Sequence, residues 1–180
     1  MRKLTRSGGL FLFVLTWAVL GGCGVKPAPF TNPLESRLIL QMPFYADERG
    51  GGGPAALAAV MTYNGRPTTV EEVVMTLGDK PPLAQAMAIM ARQAELKADF
   101  YMGNPDQLVE AVKQNQPLIV RLDLPKAPVN AGDYAVVVGY TPDGPVVNSC
   151  AVNQQIVAWR DFLAGWHAAS YLTLLIEPLE

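Results

Sequence analysis

Apolar residues recur at the three-to-four-residue spacing of helices in the first half of the chain, and in the short runs typical of strands in the second half. The helical spacing predicts helices over 54–63, 70–77, 82–96 and 105–114. The strand pattern predicts strands over 36–43, 98–102, 117–124, 133–140, 146–148 and 170–176. Residues 155–165 are predicted to hold a strand end and a short helix bearing Trp159, Phe162 and Trp166. Helices followed by strands predict an α+β domain.

Two of these helices begin at residues that can cap a helix. Thr68 and Thr69 precede a first turn that contains Glu71 and Glu72, and Asn104 precedes Pro105. A Thr or Asn side chain at this position accepts a hydrogen bond from an unpaired backbone N–H, and acidic residues stabilise the positive end of a helix. Both helix starts are therefore predicted at these residues.

The first predicted helix follows four consecutive glycines, Gly50 to Gly53, and begins with Pro54. Glycine adopts positive φ freely, and proline is tolerated in a first helical turn because its missing N–H would be unpaired there. Such a turn aims backbone N–H groups at whatever lies in front of the helix. No side chain remains at the turn to perform chemistry.

The N-terminus has the pattern of a bacterial export signal. Arg2, Lys3 and Arg6 precede an apolar run over 10–20, which is short for a membrane span and suited to a signal peptide. Leu-Gly-Gly-Cys at 20–23 resembles the lipobox of bacterial lipoproteins, which implies cleavage before Cys23 and acylation of its thiol and amine. The alternative is an ordinary secretory signal with a chance cysteine.

The resemblance to lipoproteins sets the predicted organisation: signal peptide over 1–22, lipidated Cys23 and a proline-containing tether over 23–35, and one domain over 36–180. Gly24 is not the Asp that retains many lipoproteins in the inner membrane, so the resemblance favours the periplasmic face of the outer membrane. The membrane is then a partner through the lipid on Cys23.

The net charge of the chain argues against polyanionic partners. Fourteen Lys and Arg stand against sixteen Asp and Glu, a formal charge of −2, and removing Arg2, Lys3 and Arg6 leaves eleven against sixteen, or −5. A mildly acidic domain has no bias toward nucleic acid or anionic lipid.

If Cys23 is lipidated, Cys150 is the one unmodified thiol, so no internal disulfide is expected. No cofactor and no metal is expected.

Five stretches resemble the bacteriocin-processing (double-glycine) peptidase-like family of the papain-like cysteine peptidase superfamily. They are Met-Pro-Phe at 42–44, Gly-Pro-Ala-Ala-Leu at 53–57, Tyr-Asn-Gly-Arg-Pro at 63–67, Asp-Tyr-Ala-Val-Val-Val-Gly-Tyr at 133–140, and Asn148. Their order and spacing cover about residues 38–176. The resemblance implies a papain-like fold, with N-terminal helices packed on a C-terminal antiparallel sheet.

The family's functional positions are carried over one at a time. The nucleophilic Cys falls on Gly52, the His on Asp133, and the oxyanion Gln on Asp47, while Asn148 retains the orienting position. Glycine cannot be a nucleophile, a carboxylate cannot replace the His for an absent thiol, and Asp47 would repel an oxyanion. The resemblance therefore implies a peptidase fold without peptidase chemistry.

A relocated pair of catalytic groups has two candidates, Cys150 and His167. Cys150 is expected at the far end of a hairpin and His167 before the last strand, so neither is expected in the family's cleft. Cys150 is interpreted as a small buried apolar residue, and His167 as a partly buried structural residue or a solvated loop residue.

The resemblance implies a cleft formed by Asp47, Gly52, Gly53, Asp133, Tyr134 and Asn148, enlarged by the lost side chains and acidic. The leading hypothesis is a non-catalytic module that binds a peptide or envelope protein. The alternatives are an active peptidase with a rebuilt site, an acid/base pair of aspartates, a cation site formed by Asp47 and Asp133, with Glu48 as a further ligand, and a scaffold with solvated aspartates.

Overall fold

Helices cover both faces of one antiparallel sheet. A computed structural model describes residues 36–46, 52–78, 84–124 and 133–179. The elements in chain order are β1 (Leu38–Ile39), α1 (Gly53–Tyr63), α2 (Val70–Leu77), α3 (Ala84–Gln93), β2 (Leu96–Met102), α4 (Pro105–Lys113), β3 (Leu118–Leu122), β4 (Asp133–Tyr140), β5 (Pro145–Asn148), β6 (Gln155–Ile156), α5 (Trp159–Ala168) and β7 (Leu172–Pro178).

The seven strands form a sheet of order β2-β7-β3-β4-β5-β6, and β1 pairs with the far end of β4. Every pairing is antiparallel, and β4 carries an irregularity in its register with β5 between Val137 and Gly139. All eight residues of β4 are buried, which explains its continuous apolar run. β4 is thus the central strand that positions the site.

Strand alternation divides the core into two layers. One cluster packs α1, α2 and α3 against alternate residues of the strands, including Ile119, Val136 and Leu174. The other packs α4 and α5 against the opposite face, including Val120, Ala135 and Phe162. The predicted α+β, papain-like arrangement of N-terminal helices on an antiparallel sheet is confirmed, with α4 and α5 on its second face.

The predicted helix caps are confirmed. Thr69 and Glu72 form a reciprocal capping box, in which each side chain accepts from the other residue's backbone N–H. The Asn104 side chain accepts from the backbone N–H of Gln107 at 2.9 Å and starts α4. In the described ranges no helix is long and apolar enough to cross a bilayer.

Several element boundaries were predicted wrongly. The strand predicted over 36–43 is only Leu38–Ile39, because the chain then leaves the sheet to pass the start of α1. The helix predicted over 82–96 is Ala84–Gln93, and Glu95 takes a positive φ of 58° that turns the chain directly into β2. β2 therefore begins at Leu96, two residues earlier than predicted.

The predicted signal peptide, Cys23 and the tether lie outside the described residues.

Candidate functional site

Gly52 is the N-cap of α1 and adopts a left-handed conformation, with φ 61° and ψ −11°. Its carbonyl accepts the first helical hydrogen bond, from the N–H of Ala56 at 2.9 Å. Pro54 occupies the first turn as predicted, and residues 53–61 are all buried. The carried-over nucleophile position therefore lies at the N-terminus of the central helix.

Position 52 has no room for a side chain. A Cβ built on Gly52 would lie 2.2 Å from the carbonyl oxygen of Tyr134, closer than the 3.0 Å that real Cβ atoms keep from other heavy atoms. The contacting atom belongs to the backbone of the central strand, so it cannot swing aside. Together with the positive φ, this contact makes glycine the residue that fits here.

Cys150 lies next to this point. Its Cβ is 3.6 Å from where a Cβ of residue 52 would stand, its side chain is buried, and it forms no disulfide. Cys150 therefore lies beside the N-terminus of α1, which was not expected, although it is not among the described residues that line the cleft. The hairpin register explains its place: Asn148 pairs with Val136, so the chain beyond β5 continues toward Tyr134 and the start of α1.

A narrow cleft separates α1 from the sheet at this end. It is lined by Pro43, Phe44, Tyr45, Gly52, Ala55, Ala56, Ala59, Val136, Asn148 and Ser149. Its cavity volume is about 10 Å³, close to the minimum for a single water. The expected enlargement is not observed among the described residues, because the Tyr134 carbonyl takes the space beside Gly52.

Asn148, the retained position, is buried and lines this cleft. Its side-chain oxygen Oδ1 accepts a hydrogen bond from the backbone N–H of Gln154 at 2.8 Å. Gln154 has a positive φ of 52°, so this bond holds the tight turn that follows β5. The side chain is thus engaged in fixing the loop that carries Cys150.

Asp133 is the first residue of β4 and is 6% exposed. It stands directly opposite Leu122, whose side chain belongs to the layer under α4 and α5. Strand alternation therefore places Asp133 on that face, whereas Tyr134 is on the face of α1. Asp133 is not among the described residues that line the cleft, and Asp47 lies outside the described residues.

Tyr134 connects the site to the start of α3. Its ring is buried in the layer under α1, and its hydroxyl shares a hydrogen bond with the backbone of Ala84. Burial raises the pKa of Tyr134 above its ordinary value of 10.0, although the nearby Arg121 and the hydrogen bond oppose the rise. Tyr134 therefore serves the site in two ways, by its backbone carbonyl and by anchoring α3.

The two residues considered for a relocated catalytic pair are not brought together. His167 is exposed on α5 and packs its ring against Tyr171, with centroids 5.4 Å apart. α5 belongs to the layer opposite α1, whereas Cys150 lies beside the turn at Gly52. In the described part of the chain, no cluster of three His, Cys, Asp or Glu residues has the geometry of a metal site.

Solved structures of similar fold are peptidases. The chain aligns to a double glycine motif protease from an AMS/PCAT transporter, solved in complex with the leader peptide, at 18% identity and TM-score 0.64, covering 79% of this chain and 95% of that chain. The peptidase domain of Streptococcus ComA, a bi-functional ABC transporter involved in a quorum sensing pathway, aligns at 17% identity and TM-score 0.62, covering 77% and 98%.

A protein from Bacillus anthracis described as a C39-like peptidase aligns at 14% identity and TM-score 0.67, covering 81% of this chain and 100% of that chain. At these identities the likeness concerns the fold. No curated protein matches the chain. The sequence model of the Peptidase_C39 like family matches residues 34–174, most of the domain. The chain therefore belongs to the Peptidase_C39 like family.

Proposed function

We propose that this chain is a lipid-anchored, catalytically inactive member of the family that binds a peptide or protein partner in the bacterial cell envelope. The observation that carries the proposal is the geometry at position 52. A cysteine peptidase needs a thiolate at the N-terminus of this helix. Here the position is a left-handed glycine whose Cβ would lie 2.2 Å from the Tyr134 carbonyl oxygen.

The cleft also lacks a histidine to act as general base. Asp133 replaces the His of the family, and strand alternation directs it away from α1. The one histidine of the chain, His167, is exposed on the helix layer opposite α1. No imidazole among the described residues is placed to take a proton at the cleft, so general-base activation of a nucleophile has no group to perform it.

Binding is supported by the shape and lining of the cleft. One wall is the irregular segment that carries Phe44 and Tyr45, and the other presents the polar Asn148 and Ser149. Aromatic side chains beside a few polar groups are typical of a binding site. One structure with this fold was solved with a peptide bound, which supports a peptide as the occupant here.

A ligand has to widen the cleft, because about 10 Å³ holds no side chain. We infer that the wall at Phe44 and Tyr45 moves when a ligand enters. Within the described residues this wall pairs with no strand. Tyr45 is half-buried and packs against the core, but its hydroxyl donates only a long hydrogen bond to Thr62 Oγ1, at 3.5 Å. Opening by this segment leaves α1 and β4, which are buried, in place.

The anchor is proposed from the lipobox resemblance at residues 20–23. A lipidated Cys23 followed by a tether to residue 35 would hold the domain within about 43 Å of the bilayer, since an extended residue spans about 3.3 Å. We place the protein on the periplasmic face of the outer membrane. The partner is then a peptide or an envelope protein within that distance.

The test is the binding of a panel of fluorescently labelled envelope-protein peptides to protein purified in mild detergent from cells that express the full chain. We expect saturable binding of a subset of peptides, measured by fluorescence anisotropy. Phe44→Asp places a charge in the cleft wall and is expected to weaken that binding. Met75→Asp is the matched control, because Met75 is 79% exposed on α2 and does not line the cleft.

Equal weakening by both substitutions, or by neither, contradicts binding at this cleft. Absence of saturable binding by every peptide of the panel contradicts the binding role itself.

The alternative is an active peptidase in which Cys150 replaces the lost nucleophile. The observation that favours it is the 3.6 Å between its Cβ and the Cβ position of residue 52. It predicts peptide hydrolysis that disappears in Cys150→Ser. The absence of an imidazole at the cleft among the described residues makes the inactive role the better supported one.

A further inference from the structure

The cleft wall at Phe44 and Tyr45 is part of a segment over 40–46, which we call the strap and which continues directly from β1. In the described part of the chain, residues 41–46 form no hydrogen bond from their backbone to the backbone of another element. Met42 and Tyr45 are half-buried against the layer under α1, so this part of the strap is held by side chains. Its backbone is tied at the start, where it leaves β1.

β1 holds the start of the strap on the far end of β4, where Ile39 stands opposite Gly139. The next residue, Leu40, donates from its backbone N–H to the carbonyl of Val138 at 2.7 Å and buries its side chain in the layer under α4 and α5. Hydrogen-bonded and non-hydrogen-bonded pairs alternate along an antiparallel ladder. Ile39 and Gly139 are therefore a non-hydrogen-bonded pair, the kind in which the two Cα atoms come closest, at about 4.5 Å.

Gly139 permits this close approach because it has no side chain. A Cβ built on Gly139 would lie 2.4 Å from the carbonyl oxygen of Leu38 and 3.0 Å from the Cα of Ile39. Both contacting atoms belong to the backbone, so neither can turn aside unless β1 itself moves. β4 is paired along both of its sides, whereas β1 has two residues and pairs with β4. A methyl group at position 139 would therefore displace β1, and with it the start of the strap.

Gly139 itself is remote from the cleft. Val136, the β4 residue that lines the cleft, precedes Gly139 by three residues, which is about 10 Å along a strand. Gly139 is not among the described residues that line the cleft. The strap is the segment that connects the two places, since it begins beside Gly139 and ends in the cleft wall.

We propose that Gly139 is a positioning residue for the cleft: it lets β1 lie against β4, the pairing of β1 holds the strap beside α1, and release of β1 opens the cleft. This inference rests on the proposed function for its meaning, because a ligand that enters the cleft has to displace Phe44 and Tyr45. The pairing of β1 with β4 then contributes to the free energy needed to open the cleft, and so to the affinity for its ligand.

The test measures opening of the cleft in the full-chain protein with no peptide present. Ala59→Cys places a thiol on the α1 side of the cleft, at a residue that is 3% exposed, and Cys150→Ser removes the native buried thiol. A small maleimide can react at position 59 only when the structure opens locally or globally. Ala91→Cys in the same background is the matched reporter, because Ala91 is fully buried on α3 and does not line the cleft. Peptide mass spectrometry measures the labelling rate at each site.

Each reporter is combined with Gly139→Ala, which displaces β1, and with Gly103→Ala as the control for crowding. A Cβ on Gly103 would lie 2.7 Å from Thr173 Oγ1 and 2.8 Å from the ring of Trp166, so this change strains the packing between β2 and α5 without touching the strap. Leu40→Ala is a second way to loosen the start of the strap, because it removes a buried side chain there. It keeps the proposal testable if Gly139→Ala does not fold.

We expect Gly139→Ala and Leu40→Ala to speed labelling of the Ala59→Cys reporter by about tenfold more than labelling of the Ala91→Cys reporter. Gly103→Ala should change the two reporters by the same factor, because it acts on global stability. The proposal is overturned if the folded β1 and strap variants speed both reporters equally, or speed neither. These rates do not depend on any ligand, so a failure of peptide binding and a failure of the role of Gly139 are distinguishable.

Discussion

The carbonyl oxygen of Tyr134 lies 2.2 Å from the point where a Cβ on Gly52 would stand. This relationship joins the N-terminus of the central helix to the central strand of the sheet by backbone alone. In a cysteine peptidase of this fold the same place must hold a thiol and its approach path. The close approach therefore accounts for both the glycine at position 52 and the proposed loss of catalysis.

Gly52→Ala should destabilise the fold strongly. A left-handed conformation costs a non-glycine residue about 1–2 kcal/mol, and relieving the contact with the Tyr134 carbonyl adds about 1–3 kcal/mol. The comparison is Gly65→Ala, because Gly65 has a φ of 80° and a Cβ built on it meets no heavy atom within 4 Å beyond its chain neighbours. Measured by urea unfolding, the Gly65→Ala variant should lose only the part of the unfolding free energy that comes from the left-handed conformation. Equal losses in the two variants would show that the contact carries no energy.

Asn148→Ala should cost about 1–3 kcal/mol of unfolding free energy, because the N–H of Gln154 loses its acceptor inside the protein. Asn148→Asp keeps an oxygen at the same place and should lose much less. The measurement is the midpoint of thermal unfolding for the two variants. If Asp destabilises as much as Ala, the hydrogen bond to Gln154 is not what Asn148 contributes.

The raised pKa of Tyr134 predicts a loss of stability in alkali. The folded protein keeps the phenol proton above pH 10.0, the ordinary value, while the unfolded chain releases it, so the unfolded state binds fewer protons. The stabilisation is complete below pH 10 and declines as the pH rises above it. Urea midpoints from pH 8 to 11 should fall less steeply in Tyr134→Phe than in the wild type. If the urea midpoints of the two proteins fall in parallel with pH, ionisation of Tyr134 is not the cause of the loss of stability in alkali.

The lipid anchor is tested by Cys23→Ser. The wild type should carry the added mass of acyl chains on Cys23 and should sediment with outer membranes. The variant cannot form the thioether and should be found without lipid, with its signal peptide uncleaved or in the soluble fraction. Intact-mass spectrometry and membrane fractionation measure both. A wild-type mass without acyl chains would support an ordinary secretory signal instead.

The elements were predictable where their signals are local. The Thr cap in front of Glu71 and Glu72, the Asn104 cap and the strand over 133–140 each depend on a few neighbouring residues, and each is confirmed. The position of Cys150 was not predicted, because it depends on the register of β4 with β5, which an irregularity between Val137 and Gly139 alters. Counting from the Thr-Pro-Asp-Gly turn at 141–144 without this irregularity would set Cys150 opposite Ala135, which packs in the layer under α4 and α5.

The shape of the site was predicted less well for a similar reason. Removing side chains suggests a larger cleft, but the space beside Gly52 depends on how closely α1 approaches the Tyr134 carbonyl. The direction of the Asp133 side chain depends on its pairing with Leu122, a tertiary feature. The sequence motifs identified the site positions, but the space and side-chain directions at these positions depend on how segments distant in sequence pack together.

Mass spectrometry of the peptide panel after long incubation with the full-chain protein tests the central claim most directly. The account predicts that peptides that bind the wild type are recovered uncut, and that Cys150→Ser and the wild type give identical spectra. A cleavage product that appears with the wild type and not with Cys150→Ser would contradict catalytic inactivity and establish Cys150 as a nucleophile beside Gly52.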